Sequence, residues 1–471
     1  MTAEGGTRRA WLPGAVSVAL TVGLWFWPVP DGLTTSAWHL FALFAGAIFS
    51  VVVGALPILT ASVIAGSLAV LTGVVRPNDA WAGFANGTIL LIVVAFLVAR
   101  AVVKCGLGER IGHAVVARFG RSTLGLSYSL FLVDAAIAPA FPSNTARSGV
   151  IYSLAASLAS TAGATPGDPS RLRLGGFLMF SGIVSLSLSS GLWLTAMAAN
   201  PLGTEIARRF GVDIGFGTWL LVASVPTLIA MLVLPYLLYK VIGPEVTATP
   251  DAPAAARAAS KALGRLKRDE WIVAITFVAM VVLWGSAAAL QVDATAVAFL
   301  GLGVFMMTGV LTADDLSREG DVLGTYIWFA LLFTMSTQLN EQGFMGFVGQ
   351  RMADAMLGAP AWLGGLALVL AYVLLHYLFV SQTAHLLALF PVFLDVGAKL
   401  GVPLMPLAFL LLFATNFFSP ITPQGSSANL LFTAAGYLPQ RDLYLLGALA
   451  TGVSLAIYLV VGVPWLLLVG P

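Results

Sequence analysis

Phe141-Pro142-Ser143-Asn144-Thr145-Ala146-Arg147-Ser148 interrupts a stretch, residues 122–160, that is otherwise almost wholly apolar. Pro142 cannot extend a helix arriving from its N-terminal side. The hydroxyls and the amide therefore fall at a break where unpaired backbone N–H groups begin a new helix. Helix starts of this kind attract anions. The pattern recurs 238 residues on, where Ser381-Gln382-Thr383-Ala384-His385 also lies between two apolar arms and His385 takes the register of Arg147. Each segment, 122–160 and 361–400, is too long for one membrane crossing and is broken near its midpoint. That predicts two re-entrant helical hairpins with polar tips, each needing protein or a water-filled cavity around its irregular backbone.

Composition sets the class. Of 471 residues, 59% are hydrophobic and 9% charged, and 49 are glycine; the mean hydropathy is +0.94. This describes a polytopic membrane protein rather than a soluble globule. One cysteine, Cys105, excludes an intrachain disulfide framework. No Cys/His cluster has metal-ligand spacing, and neither a P-loop nor a dinucleotide fingerprint is present, so ATP-driven chemistry within the chain is not expected.

In chain order, residues 1–37 comprise a polar start ending in Arg8-Arg9 and a retained first helix, with no cleavage pattern after it. Residues 38–243 form a first repeat. It has spans at 38–56, 57–75 and 80–103, an interfacial amphipathic helix at 104–121, the hairpin at 122–160, a helix at 174–210 interrupted around Asn200-Pro201, and a span at 216–243. A hydrophilic linker, 244–270, joins the halves. Residues 271–471 repeat the order, with spans at 271–290, 294–311 and 321–340, an amphipathic piece at 342–359, the hairpin at 361–400, a helix at 404–438 interrupted at 419–429, and a last span at 443–469. The predicted fold is all-α: an inverted-topology repeat of about 11 transmembrane helices plus two re-entrant hairpins. Five spans per repeat is odd, so the second half enters the membrane the other way up, as in many secondary transporters. Charge agrees. With a cytoplasmic N-terminus and an outside C-terminus in a plasma membrane, 17 of the 23 Lys and Arg lie on the cytoplasmic side, 5 outside and Arg147 at a tip. The hairpins then approach from opposite faces and their tips can meet.

Each tip offers two hydroxyls and an amide beside a helix N-terminus, namely Ser143, Asn144 and Thr145, and Ser381, Gln382 and Thr383. These uncharged donors suit a carboxylate, and two such tips suit a molecule with a carboxylate at each end. Thr195 and the Asn200-Pro201 break in one half, with Thr422, Pro423, Gly425 and Ser426 in the other, are expected to complete the pocket.

Pro142-Ser143-Asn144-Thr145-Ala146-Arg147 and Leu194-Thr195-Ala196-Met197-Ala198-Ala199-Asn200-Pro201 resemble signatures of the divalent anion/sodium symporter (DASS) family, and the resemblance covers essentially the whole chain. It is strongest to the bacterial citrate, tartrate/succinate and plastid 2-oxoglutarate/malate carriers. The resemblance implies a homodimer in which a transport domain moves against a scaffold as an elevator, carrying dicarboxylates such as succinate, malate, tartrate or 2-oxoglutarate, with citrate as a tricarboxylate candidate. Gln382 departs from the asparagine of the symporter pattern. In sodium-driven members cations offset the substrate charge; here Arg147 and His385 are placed to supply it instead. The expectation is therefore exchange, with no cofactor, no nucleic acid, and sodium only under the symport alternative.

Blander readings accompany these. Arg147 is a candidate structural partner of Asp134, and His385 and His376 are candidate packed histidines. Asp395 and Lys399, four apart, read as a helical ion pair. Gly175-Gly176 and Gly364-Gly365 read as close-packing contacts. An intramembrane serine hydrolase built on Ser381 and His385 leaves the duplicated motif unexplained, and an anion channel needs no pair of tips.

Overall fold

The computed structural model describes residues 12–470 apart from 173, 357 and 359. The reading of Arg8-Arg9 lies outside the described residues. Among those described the chain is helical, and its one extended pairing is an antiparallel bridge between Ser122 and Ala248. Among the described residues, eight helices are long and apolar enough to cross a membrane, including Phe216–Ile242 and Gln440–Val469. Four apolar helices are shorter: Leu12–Phe26, Ile58–Leu71, Ala294–Met307 and Leu404–Phe417.

The element order of one half recurs in the other. Thr35–Val52, Ile58–Leu71, Gly87–Cys105 and Leu107–Phe119 lead to the hairpin arms Thr123–Ile137 and Asn144–Thr161, then Gly175–Leu192, Ala199–Arg209 and Phe216–Ile242. Arg268–Gly285, Ala294–Met307, Gly320–Glu341 and Phe344–Asp354 lead in turn to arms Ala361–Leu375 and Gln382–Lys399, then Leu404–Phe417, Ser427–Ala434 and Gln440–Ile457. Leu107–Phe119 is amphipathic as expected, burying Gly108, Gly112 and Val116 and presenting Glu109 and Arg118 at its ends.

The helices pack as two groups. The first three helices of each half lie against one another, and Leu12–Phe26 packs on Thr35–Val52, where the Trp25 and His39 rings stack at 3.9 Å. The hairpins and interrupted helices form the other group around Gly175–Leu192, every residue of which is buried. A helix that is apolar all round belongs at such a centre. Its serines do not contradict this, because Ser185 and Ser187 donate back to the carbonyls of Gly182 and Val184. Gly175 and Gly364 are contact glycines, where a Cβ would meet Tyr437 and Leu400.

Two local features differ from expectation. The first interruption falls at residues 193–198, and Asn200 and Pro201 lie in the first turn of Ala199–Arg209. Proline is tolerated there because the N–H it lacks has no intrahelical acceptor. The linker also contains the Ala-rich helix Ala252–Ala262 and is strapped down. Thr123 N donates to Thr247 O at 3.1 Å, and Arg110 reaches Gly264 O at 2.9 Å and Glu270 at 2.7 Å.

Candidate functional site

Pro142 and the phenylalanine before it end one arm, and Ser143 starts the next. Its backbone is extended (φ −144°, ψ 122°) and its Oγ accepts from Ala146 N at 3.3 Å, capping Asn144–Thr161. Ser381 does the same in the second hairpin, with φ −141°, ψ 123° and a bond from Ala384 N at 3.3 Å. The two caps are the same structure made twice. The tips touch: Asn144 Nδ2 donates to Gln382 Oε1 at 3.3 Å. Thr145 Oγ1 lies 2.6 Å from Ser427 Oγ at the start of Ser427–Ala434.

A cavity of about 570 Å³ opens against this junction. Of the residues expected in the site, Ser143, Asn144, Thr145, Ser381, Gln382, Thr383 and Ser426 line it. Its opposite wall comes from Gly87–Cys105 and Gly320–Glu341 through Phe96, Arg100, Glu319, Asp321 and Trp328. Sequence reasoning did not find that wall, nor Ser427 and Met197 on the near side, because nothing local marks a distant helix as facing a tip.

The other expected residues stand behind the lining. Thr195 Oγ1 donates to Pro139 O at 2.9 Å and ties the first interruption to the end of the first hairpin arm. Gly425 O meets His376 Nε2 at 2.7 Å. Thr422 is buried with its Oγ1 unpartnered, and Pro423 is half-buried beside it.

Arg147 and His385, expected to supply counter-charge for the substrate, do not line the cavity. Arg147 is wholly buried against the equally buried Asp134, with Nη1 3.0 Å from Oδ1, so the pair is locally neutral. The same guanidinium donates to Ser189 Oγ at 2.6 Å, to Asn144 Oδ1 at 2.5 Å and to Ala196 O at 3.4 Å. By taking up the oxygen of the Asn144 amide it turns the NH₂ toward Gln382. Arg147 is thus a positioning residue for the first tip. In the second hairpin Tyr372, His385 and Phe418 take the corresponding places as an aromatic cluster. The His385 ring lies 4.3 Å edge-on to Tyr372 and 4.8 Å from Phe418, and both its nitrogens lack hydrogen-bond partners.

The two interruptions are held alike. Asn200 Nδ2 donates to Ser190 O at 2.8 Å and Trp193 O at 3.2 Å. Asn429 Nδ2 donates to Ser419 O at 2.8 Å and Thr422 O at 3.2 Å. Each asparagine satisfies two carbonyls that a broken helix would leave unpaired in an apolar interior, where each costs several kcal/mol. Asn416 Nδ2, bonded to Asn200 Oδ1 at 2.8 Å, links the halves. Shared Ser-to-Asn spacing, 190 to 200 and 419 to 429, was the available sequence signal. Among the described residues no group of three or more His, Cys, Asp or Glu side chains is placed to hold a metal ion.

Comparison with known proteins agrees with this architecture. Residues 8–470 match the family described as the sodium:sulfate symporter transmembrane region. The chloroplastic dicarboxylate transporter 1 of Arabidopsis thaliana is 37% identical over 97% of this chain and 83% of its own length. The citrate/succinate antiporter of Escherichia coli is 31% identical over 93% and 94%. A solved structure, the YdaH transporter of Alcanivorax borkumensis, superposes with a TM-score of 0.62 at 14% identity over 92% of this chain and 99% of that one, a likeness of fold alone. The chain belongs to the sodium:sulfate symporter (DASS) family of membrane transporters, and is a transporter rather than an enzyme.

Proposed function

We propose that the protein is a secondary carrier that exchanges C4–C5 dicarboxylates across the plasma membrane, with the tricarboxylate citrate as a further candidate. The observation that carries this reading is the meeting of two identically capped helix starts, Asn144–Thr161 and Gln382–Lys399, on one cavity, with Asn144 and Gln382 in contact at 3.3 Å. Each start presents N–H groups and hydroxyls without net charge, and together they fit the two carboxylates of one substrate. The names of the two relatives, a dicarboxylate transporter and a citrate/succinate antiporter, point the same way.

Exchange is supported by how the broken backbone is satisfied. A cation at these tips would need the carbonyl oxygens that the interruptions free. Asn200 and Asn429 already donate to four of them, Arg147 to Ala196 O, and His376 bonds Gly425 O. Protein donors stand where a cation would. Sodium symport, the second reading, has two buried oxygens in its favour, Thr422 Oγ1 and Asn416 Oδ1, which lack partners.

In this reading the halves are inverted in the membrane, with the boundaries given for the two repeats and their linker, the N-terminus cytoplasmic and the C-terminus outside. The cavity then faces the cytoplasm, since it reaches the ends of Gly87–Cys105 and Gly320–Glu341 where Arg100 and Glu319 lie. The hairpins and interrupted helices move as the transport domain of a homodimeric elevator. Binding tests the site directly. Succinate and 2-oxoglutarate should raise the melting temperature of the purified protein, and acetate should not. Ser143→Ala combined with Ser381→Ala should abolish the shift. A shift of equal size with acetate, or none with any di- or tricarboxylate, would refute the reading.

A further inference from the structure

The cavity wall facing the tips carries charge that the tip-based reading does not use. Arg100 lies in the last two turns of Gly87–Cys105, and Glu319 immediately precedes Gly320–Glu341, whose first turn holds Asp321. All three line the cavity. Arg100 Nε is 3.0 Å from Glu319 Oε1, with the two side chains 40% and 26% exposed. That contact lacks hydrogen-bond alignment. Lys104, one turn further along the same helix, makes the contrast plain: it is tied to Asp315 at 2.6 Å and to Val310 O at 3.0 Å. Lys104 is committed, whereas Arg100 is held by one loose partner at the rim of a cavity.

We propose that Arg100 is a carboxylate-capture and specificity-determining residue, held by Glu319 and released to the trailing carboxylate of a dianion on its way to the tips. The inference rests on the dicarboxylate reading above. A dianion entering this cavity leads with one carboxylate toward the tips while its trailing carboxylate passes Arg100, the one Lys or Arg among the described lining residues, before both seat on the tips. The swap is charge-balanced, because Arg100 keeps one carboxylate partner in either state. Glu319, the N-cap residue of Gly320–Glu341, keeps its place at a helix start whose dipole favours an anion. A planar guanidinium can take a carboxylate bidentately, which the present contact does not exploit. Discrimination against monocarboxylates follows, since these lack the second group that repays the displacement of Glu319.

Capture and simple ion pairing predict opposite behaviour of the two partners. Succinate exchange would be measured in proteoliposomes loaded with unlabelled succinate, for wild type, Arg100→Gln, Arg100→Lys, Glu319→Gln and the double variant. Arg100→Gln should raise KM by roughly tenfold or more while Vmax falls far less, with Arg100→Lys in between. Glu319→Gln should lower KM, because the competitor for Arg100 is gone, and the double variant should behave as Arg100→Gln. The inference is overturned if both single variants raise KM or both lower Vmax alike, or if the double variant recovers wild-type kinetics, as for a structural pair. A wild-type protein that exchanges no dicarboxylate would instead remove the reading on which the inference rests.

Discussion

Asp134→Asn isolates the energetics of the first tip. Asp134 and Arg147 are fully buried, and the carboxylate is the guanidinium's only ionic partner among the described residues. Removing one member of such a pair leaves a buried charge with only dipoles around it and costs about 3–5 kcal/mol. Arg147→Met should cost a similar amount, since Asp134 would keep little beyond its bond from Ser189 Oγ at 2.5 Å. Removing both charges is different. A double Asp134→Leu, Arg147→Met variant should return to within about 1 kcal/mol of wild type, as packed apolar replacements of buried pairs commonly do. The second hairpin, with Tyr372 against His385 at the corresponding positions, already uses a pair without a carboxylate. Transport should not recover with stability, because Asn144 Oδ1 loses its donor and the amide is free to turn. Mispositioning a binding group in this way is expected to cost about 10–100-fold in exchange rate. Unfolding midpoints in mixed micelles and exchange in proteoliposomes give the two readouts. Single variants within about 1 kcal/mol of wild type, or a double variant as unstable as the singles summed, would refute the reasoning.

Asn200→Ala and Asn429→Ala should each cost about 1–3 kcal/mol through the carbonyls they expose, with Asn200→Ala the costlier because Asn416 Nδ2 also loses its acceptor there; unfolding midpoints check this, and a clearly larger loss at Asn429 would contradict it. Asp315 is held well below the usual carboxylate range, chiefly by Lys104 and then by Thr312. Its lowered pKa means that its contribution is present above the unfolded carboxylate value of about 4 and is lost as pH falls toward the folded one. Asp315→Asn should therefore lower stability at neutral pH and flatten the acid limb of the stability profile below about pH 4; an unchanged acid limb would contradict the assignment.

The parts of the site legible in sequence were those announced by local conflict. A proline followed by hydroxyls in an apolar run marked Ser143, and the same conflict in register marked Ser381, because unpaired helix starts need polar company wherever they fall. The interruption before Ala199 was legible as an interruption but was assigned to Asn200-Pro201, since proline breaks helices in general while the first turn tolerates it. Arg147 shows the opposite limit. Asp134 lies thirteen residues earlier on the other arm, and only the closed hairpin makes them neighbours. Sequence offered both a substrate-facing and a structural role for Arg147, and the pair it makes with Asp134 is the contact the second role foresaw. The wall containing Arg100 and Glu319 was not legible, because their pairing spans the two halves and carries no local pattern.

The measurement that tests the central claim most directly is uptake of labelled succinate into proteoliposomes, loaded with unlabelled succinate or empty, each with and without an inward sodium gradient. Exchange through the paired tips predicts uptake into loaded vesicles only, unchanged by sodium. Accumulation in empty vesicles driven by the sodium gradient would contradict it and make the protein a symporter.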